Sequence, residues 1–497
     1  MKKMNLLVMS LVSAAALSFS SCSNNDDLTG GGTQSQADGV YMTLKISGAT
    51  SHETRTGVTD KKTTAENGSV AESTITEGMM YIYDGNTCVF RKVITKEMFQ
   101  TQPSKTTAGV TKPIKVAVTG AITTGKKYDV YFLANRTNID DPIAATSIFT
   151  SNTGGADFAA ENNFVMFNQN DGTTKAQHST VEFTDAAKSE TNPAHAGEIK
   201  LDRVVARIDN PSFAETVTTV TPAENTTTSI NVGDVVAGIS YEGFAVSNLN
   251  NNSYVMQNWD TKFETLNVKW GEPKYSLPKS DYGTLYKAEG LANFSSKENP
   301  VNWKYAFENT TPNVDEATAV YFKVKVALKE ALKDASDFQD GTFYRYDGRL
   351  YTTIQAIYND AATGAISNPF TETGEITSAA VVAKITGADG KLTTDEDVLA
   401  KFRKDYKIEV YRQGVMYYRW AISDNAYKPF VASDATHTYS VLRNSIYRLT
   451  VTKVSEIGKD VPNGPEPDDP VKNPNFYMNV TVSINPWVLN AQPIELK

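Results

Sequence analysis

One segment of this sequence resembles a loop that binds phosphate, and it is the first place where the chain could support chemistry. Residues 120–126 read GAITTGK, with the spacing of glycine and lysine found in a P-loop. A P-loop continues with a serine or threonine whose hydroxyl binds Mg²⁺, but here the next residue is Lys127. A P-loop also opens a helix, whereas Tyr128, Val130 and Phe132 alternate in the pattern of a strand. The segment therefore predicts a turn before a strand and not a nucleotide site.

The other side chains that could react or bind a metal are scattered along the chain. No two histidines have the spacing of metal ligands; they are His52, His178, His195 and His437. Cys88 has no histidine near it in the sequence, and no Gly-x-Ser-x-Gly elbow is present. Acidic residues near Asp389 and Asp395 lack the spacing of an EF-hand loop and are expected to form turns and a helix cap. The sequence predicts a protein that is not an enzyme and uses no metal and no cofactor.

Length, charge and composition favour a β-rich protein with two domains. The chain has 497 residues, which is enough for two domains with tails. Its formal net charge of -9 argues against nucleic acid as a partner, because phosphate binding needs basic patches. Tyrosine and phenylalanine are plentiful, at 24 and 21 residues, and long helical heptads are missing. We therefore expect an all-β fold.

The amino-terminal segment predicts export and lipidation. A basic start, an apolar run at residues 6–17 and small residues before Cys22 form a signal peptide at residues 1–21. The position of Cys22 resembles a lipobox, in which the thiol is acylated, for example with palmitate, and becomes the mature amino terminus. The polar, acidic residues 23–27 resemble the stretch that directs some lipoproteins to the cell surface. If Cys22 is acylated, Cys88 has no disulfide partner; the alternative is ordinary signal-peptide cleavage nearby.

The first strand of the body is clear, and a long polar stretch follows it. Its apolar residues alternate with polar ones and predict a half-buried strand; they are Val40, Met42, Leu44 and Ile46. Residues 48–77 then lose the apolar signal, and such a long loop is usually functional or disordered. Arg55 in this loop is a good place for a trypsin-like cut, which would release the body from the lipidated end. The alternative is that Arg55 is an ordinary exposed arginine.

Short apolar or alternating runs predict strands throughout the rest of the body. They lie at residues 79–83, 88–90, 114–118, 128–133, 199–208, 230–241, 244–247, 319–328, 351–358, 407–411, 415–422 and 445–454. One short helix is predicted from the capping box of Thr394 and Asp397. Tyr417, Tyr418 and Trp420 lie on a predicted strand, where packing of a sandwich is favoured over a platform for sugars. Many short strands with turn signals between them indicate β-sandwiches.

A second amphipathic strand lies at the carboxyl end. Residues 457–474 hold five of the 19 prolines and predict an extended, semi-rigid linker. The apolar residues that follow alternate with polar ones and are Met478, Val480, Val482 and Ile484, with Trp487 just beyond. A lone strand is not stable in water, because its backbone groups and apolar face need a partner sheet. This strand either folds back onto its own domain or adds to the sheet of a neighbouring subunit, which would build head-to-tail filaments.

Several motifs, taken together, resemble the fimbrillins of type V pili, in particular the major subunit of the short-fimbria type. Besides the acidic lipobox start, they lie at residues 128–135, 202–207, 414–420, 441–447 and 477–496. Their order and the proline-rich segment before the last strand make the resemblance specific. It implies an all-β chain of two tandem transthyretin-like β-sandwich domains followed by a C-terminal donor strand.

The resemblance also implies how the chain is divided and matured. The expected segments are a signal peptide at 1–21, a lipidated propeptide at 22–55, β-sandwiches at 56–213 and 214–456, a linker at 457–474 and a donor strand at 475–497. An Arg-specific surface protease is expected to cut after Arg55 and leave Thr56 as the first residue. The family often has alanine at that position. The donor strand would then enter the groove that the first strand, with Val40, Met42, Leu44 and Ile46, has vacated.

The expected function follows from this maturation. The chain would be a structural subunit of a cell-surface fimbria, with a precursor that is a lipoprotein of the outer membrane. Its partners would be other copies of itself, accessory anchor and tip pilins, and the protease, in support of adhesion or biofilm formation. A chain that has both a removable first strand and a donor tail resembles a stalk subunit. The alternative is a monomeric surface lipoprotein that binds glycans and keeps its last strand on its own chain.

Overall fold

The structure of the chain is a computed structural model. It describes residues 39–48, 66–100, 114–144, 147–170, 179–221, 229–258, 294–295, 300–311, 314, 316–371, 374, 377–422, 439–461 and 478–488. The predicted lipidation residue Cys22 and the predicted cleavage residues Arg55 and Thr56 lie outside these ranges. Within them, no helix combines the length and apolar character needed to cross a bilayer.

The first part of the chain builds one eight-stranded sheet. The elements of this part of the chain are β1 (Val40–Gly48), β2 (Glu66–Asn67), α1 (Val70–Ser73), β3 (Gly78–Asp84), β4 (Thr87–Ile94), α2 (Lys96–Gln100), β5 (Ile114–Val118), β6 (Lys127–Ala134), β7 (Ile148–Thr150), β8 (Ala159–Ala160), β9 (Asn163–Phe164), β10 (Met166–Asn168), β11 (Ser179–Glu182) and β12 (Ala194–Arg203). The strand order is β4-β3-β6-β10-β12-β1-β5, and β11 also pairs with β6. Gly85, at φ 60°, lies in the tight turn between β3 and β4, a conformation that glycine adopts without strain.

The first core packs against this sheet. Strand β3 is buried over six consecutive residues, and Tyr83 meets Tyr131 of β6 edge-on, with ring centroids 5.4 Å apart. Phe158 contacts Phe307 from a later part of the chain, with ring centroids 4.9 Å apart. The predicted strands at 79–83, 114–118 and 128–133 are confirmed. The first core therefore takes a side chain from the second half as well as its own.

The second part of the chain contributes to two larger sheets, to smaller strand pairings and to a helical insertion. Its elements are β13 (Ala206–Asp209), β14 (Ser212–Phe213), α3 (Val232–Val235), β15 (Val236–Ser247), β16 (Asn252–Tyr254), β17 (Trp303–Ala306), β18 (Asn309–Thr311), β19 (Ala319–Leu328), α4 (Glu330–Lys333), β20 (Phe343–Tyr346), β21 (Arg349–Tyr351), α5 (Ile354–Ala362), α6 (Ser378–Ala383), α7 (Glu396–Tyr406), β22 (Glu409–Tyr411), β23 (Val415–Ala421), β24 (Tyr439–Val441), β25 (Ser445–Val454) and β26 (Met478–Val488). One sheet has the order β17-β13-β25-β26-β2, and the other has the order β15-β19-β23. Side chains from both sheets share the second core, which makes this half a β-sandwich.

The boundary between the two cores differs from the predicted one at residue 213. Val205 packs in the first core and Ala206 in the second. Strands β13 and β14 pair in parallel with β25, near the carboxyl end of the chain. Residues 206–213 therefore belong to the second sandwich. The predicted boundary misses this, because the assignment depends on the pairing of Arg207 with Ile446, more than 200 residues later in the chain.

An insertion with its own core interrupts the second sandwich. Strands β19 and β23 are direct neighbours, with Lys325 opposite Val415, and the chain between them forms β20 to β22 and four helices. Along β20, Phe343 packs in the second core and Tyr344 in a third. The sequence did not predict this unit, although the all-β class is confirmed for the chain as a whole.

Two local predictions in the insertion need correction. The predicted strand at 351–358 is instead the end of β21 followed by α5, whose N-cap is Thr353. The predicted helix is present as α7, but its cap is Asp395 and not Thr394. The Asp395 carboxylate accepts from the backbone N–H of Val398 at 3.3 Å.

Candidate assembly site

The first strand is an interior strand of the first sheet. It pairs in parallel with β12 and antiparallel with β5, where Val40 lies opposite Val118 and Leu44 opposite Ile114. Among the described strands, β5 pairs with β1 alone. Removal of β1 would therefore open one edge of β12 and leave β5 without its ladder.

Strand β1 directs its apolar face into the core. The exposed fractions of the predicted side chains are 6% or less for Val40, Met42, Leu44 and Ile46. At about 1.5–3 kcal/mol for each buried side chain, this face contributes roughly 6–12 kcal/mol of gross burial. On the opposite face, the Thr43 hydroxyl lies 2.7 Å from Nδ1 of His195 on β12. The alternation read from the sequence thus places one face of β1 in the core, as predicted.

The last strand lies on its own chain in this structure. Strand β26 pairs antiparallel with β25 through nine residue pairs, from Ser445 opposite Pro486 to Val454 opposite Met478. Its other edge pairs in parallel with β2, where Glu66 lies opposite Trp487. The predicted donor residues Val480, Val482 and Ile484 fall within the ladder with β25. This arrangement in cis is the one that the sequence left open as an alternative.

Strand β25 has a partner on each side because β26 is there. Its other edge pairs with β13, where Arg207 lies opposite Ile446, and with β14. The side chains of Ile446, Leu449 and Val451 are at most 1% exposed. If β26 left, the outer edge of β25 would be free to pair with another strand along this ladder.

One comparison with known proteins identifies the carboxyl-terminal region. Residues 409–493 match the family described as major fimbrial subunit protein type IV, fimbrillin, C-terminal. This region resembles the carboxyl-terminal part of fimbrillins. The match supports the resemblance inferred from the sequence. The matched residues include β25 and β26, so the family signature covers the last strand and its partner.

Solved structures that are similar to this chain include the following three. One is a protein of Parabacteroides distasonis proposed to act in cell adhesion, with a TM-score of 0.42 and 12% identity over 92% of this chain and 99% of that chain. A fimbrilin of Porphyromonas gingivalis has a TM-score of 0.40 and 14% identity over 91% of this chain and 99% of that chain. The tip fimbrial protein Mfa3 of Porphyromonas gingivalis has a TM-score of 0.34 and 13% identity over 90% of this chain and 100% of that chain. No curated protein sequence matches this chain.

The start of the predicted linker is packed, which corrects the linker's predicted start at residue 457. Ile457 is fully buried in the second core. The backbone of Lys459 exchanges two hydrogen bonds with Tyr417 of β23, at 2.7 and 2.9 Å. The Asp460 carboxylate accepts from the backbone N–H of Val410 at 2.8 Å and from Arg403 of α7. Residues 462–474 lie outside the described ranges.

Buried charges hold this segment in place. Burial raises the pKa of Asp460 above its usual range even though Arg403 lies against it. The Glu456 carboxylate accepts from the backbone N–H of Ser229 at 2.5 Å and from that of Ile457 at 2.8 Å. A buried carboxylate that loses such partners leaves an uncompensated charge, which is strongly destabilising. The chain therefore leaves the second sandwich from a fixed point.

The structure gives structural roles to residues that could have carried other chemistry. Within the described residues, no three or more histidine, cysteine or acidic side chains are grouped as they would be to hold a metal ion. Cys88 is half-buried in β4, and its thiol lies 3.5 Å from the carbonyl oxygen of Phe90. Tyr417 and Tyr418 are buried, and Trp420 packs against the second core. The aromatic triplet on β23 therefore supports the sheet.

Proposed function

We propose that this chain is a fimbrillin that forms the stalk of a cell-surface fimbria and that it polymerises by strand exchange after proteolysis. The exchange would replace β1 of one subunit with the last strand of the next. The single observation that carries the proposal is the position of β1: it is an interior, buried strand at the beginning of the described body. Its removal would uncover a long apolar groove on a folded domain.

The groove and the proposed donor have matching patterns. The face of β1 that packs in the core presents four apolar side chains at every second residue, and β26 has the same spacing from Met478 to Ile484. An incoming strand would regain the ladders to β5 and β12. The burial of four side chains contributes about 6–12 kcal/mol in gross terms. The backbone hydrogen bonds of the two ladders add to this gain, and the entropy cost of ordering the strand offsets part of it.

The pairing of β26 with β25 of its own chain is the arrangement expected of a precursor. Before cleavage the groove is filled by β1, so the last strand has no place to go on a neighbour and pairs with β25 instead. Cleavage after Arg55 would separate β1 and the lipidated Cys22 from the body in one step. The lipid anchor would hold the precursor at the outer membrane until then. Each subunit would receive one strand and donate another, as a stalk subunit must.

A trypsin assay on the full body tests this proposal. Residues 23–497 are treated briefly with trypsin, and the products are examined by electron microscopy and amino-terminal sequencing. We expect a new terminus at Thr56 together with filaments. An Arg55→Gln variant is treated with an Arg-specific protease instead, because trypsin also cuts after Lys61 and Lys62 of the same loop. It is expected to keep its first strand and remain monomeric.

Two matched variants test whether filament formation depends on the apolar face of the donor strand or is lost with any added charge on that strand. Val480→Asp with Val482→Asp places two carboxylates on the apolar face and is expected to abolish filaments. Thr481→Asp with Ser483→Asp places the same charges on the alternate face of the same strand and is expected to retain them. Clean cleavage at Thr56 that yields monomers only would refute the stalk assignment.

The cis pairing of β26 with β25 also favours a second candidate, a monomeric surface lipoprotein that binds glycans. In that case the last strand would be a permanent member of the second sheet. Resistance of Arg55 to protease, together with a stable monomer, is the outcome expected for this candidate. Filaments that appear only after cleavage would exclude it.

A further inference from the structure

A short segment that follows the predicted cleavage loop holds the far end of the last strand. Strand β2 pairs in parallel with β26, where Glu66 lies opposite Trp487 and Asn67 opposite Val488. The chain enters β26 at Met478, which is tied to the linker, and leaves it at Val488. The contact with β2 therefore lies at the end of β26 that is opposite to the linker.

Strand β2 is held in turn by helix α1. Ser69 caps this helix in a capping box: its hydroxyl accepts from the Glu72 N–H at 3.2 Å, and the Glu72 carboxylate accepts from the Ser69 N–H at 2.7 Å. The carbonyl of Ala71 accepts from the N–H of Asn162 in the first domain at 2.9 Å. One turn of helix would not be stable alone. These contacts fix α1, and with it the two residues of β2.

Glu72 connects the helix to the second sandwich. Its side chain is 4% exposed and accepts from Arg207 Nη1 and from the Tyr305 hydroxyl, each at 3.0 Å. Arg207 is shared with Asp209, whose carboxylate accepts from its Nε at 2.7 Å. Burial raises the pKa of Glu72, but the Ser69 N–H and Arg207 outweigh it and hold the pKa below its usual range. The carboxylate is therefore charged and paired near neutral pH.

Arg203 adds a second link, from helix α1 to the start of β25, the strand that pairs with β26. It is fully buried, and its Nε donates to the carbonyl of Glu72 at 2.8 Å while its Nη2 donates to the Ser73 hydroxyl at 3.1 Å. Its Nη1 donates to the side chain of Asn444 at 3.2 Å, and Asn444 directly precedes β25. Burial lowers the pKa of Arg203 to about 9, despite the nearby carboxylates of Glu72 and Asp202. Helix α1 and the start of β25 thus share one buried arginine.

We infer that residues 66–73 form a latch that keeps the last strand on its own chain, and that Glu72 holds this latch closed. The consequence for assembly rests on the proposed strand exchange. A cut after Arg55 would free β1, but it would leave the latch anchored by buried contacts that lie beyond the cut. Opening of the groove and release of the donor strand would therefore be two separate steps.

Hydrogen exchange on the uncleaved chain tests the latch. Residues 23–497 are compared with a Glu72→Gln variant, which keeps the size of the side chain and removes its charge. We expect the backbone amides of β26 to exchange about tenfold faster in this variant, while those of β3 and β6 stay protected. Equal exchange of β26 in both proteins would overturn the latch.

A matched control uses another buried ion pair of the same chain. Glu308 is 7% exposed, and its carboxylate accepts from Arg443 Nε at 2.7 Å. Glu308→Gln therefore removes a comparable charge outside residues 66–73. We expect it to leave the exchange of β26 unchanged. If both variants accelerate exchange equally, the effect is general loosening and the latch is refuted.

A second variant covers the case in which Glu72→Gln fails to fold. Asn67→Pro removes a backbone N–H from β2 and leaves the contacts of Glu72 in place. Faster exchange confined to β26 supports the latch, and unchanged exchange overturns it. Because the measurement uses uncleaved chain, it does not depend on polymerisation. A loosened β26 in a chain that forms no filaments after cleavage would retain the latch and refute only the proposed function.

Discussion

Substitution of a β1 core residue should weaken the precursor and leave the filament unchanged. Leu44 is fully buried and lies opposite Ile114 of β5. Leu44→Ala removes three carbons from a packed core, which costs about 2–5 kcal/mol depending on how far the cavity collapses. Under the proposed maturation Leu44 is cut away with β1. It then has no part in the stability of the polymer.

The assay compares two states of the same variant. The free energy of unfolding of the uncleaved chain is measured in urea, where we expect the midpoint to fall by about 1–2.5 M for a slope near 2 kcal/mol per M. Filaments made from the cleaved variant are then heated in detergent, and we expect them to dissociate at the same temperature as filaments of the parent chain.

A core residue that stays after cleavage supplies the control. Leu133 on β6 is also fully buried in the first core. Leu133→Ala should weaken both the precursor and the filament, because this residue remains in the body. If Leu44→Ala weakens the filament as much as Leu133→Ala does, then β1 is still present in the polymer and the proposed exchange is wrong.

Three further predictions concern charge and backbone geometry. Burial raises the pKa of Glu72, but the Ser69 N–H and Arg207 outweigh it, so this pKa is lower in the folded chain. The stability that Glu72 contributes is therefore present above its unfolded pKa and is lost as the pH falls through the folded pKa; the protection of the β26 amides, corrected for the pH dependence of free amide exchange, should fall over that acidic range. Replacement of Arg403 by Ala should leave the Asp460 carboxylate buried and unpaired and lower the free energy of unfolding by about 3–5 kcal/mol, measured in urea. Gly414→Ala should destabilise the second sandwich by more than about 1 kcal/mol, measured by thermal melting, since φ is +77° and an added Cβ would collide with a backbone carbonyl oxygen of β19.

The first strand could be predicted from the sequence because its signal is local. The alternation from Val40 to Ile46 fixes both the conformation and the face that is buried, and the structure has β1 at Val40–Gly48 with that face in the core. The partners of β1 could not be predicted in this way. They are β5 and β12, which lie about 70 and 150 residues away, and pairing at that distance leaves no periodicity in the sequence.

The insertion was missed because its sequence favours strands locally. Residues 351–358 are rich in aromatic and β-branched residues, which are typical of strands, yet Thr353 caps a helix through its hydroxyl bond to the N–H of Ala356 at 3.1 Å. Ile354 and Ile357 then lie on one buried helical face. Packing in the third core outweighs the β propensity of this segment.

The partners of the carboxyl-terminal segments also could not be predicted from the sequence, because they are remote along the chain. Proline density predicted a linker from residue 457, but residues 457–461 are held by partners on β22, β23 and α7 that are remote in sequence. Alternation predicted β26 as a strand, and the structure confirms that element. The alternation does not specify the partners of β26, which are β25 and β2 in the structure.

The fixed segment at residues 457–461 has a mechanical consequence for a chain that is pulled. Tension applied beyond Val461 enters the subunit where Lys459 is tied to β23 and Asp460 is tied to α7. The load is thus divided between the β15-β19-β23 sheet and the helical insertion before it reaches β25. The insertion takes no part in the proposed strand exchange, but it would then share the mechanical load. The protein would resist shear at residues 457–461, whereas a simple linker would pass the force directly to β25 and allow the strands to separate one at a time.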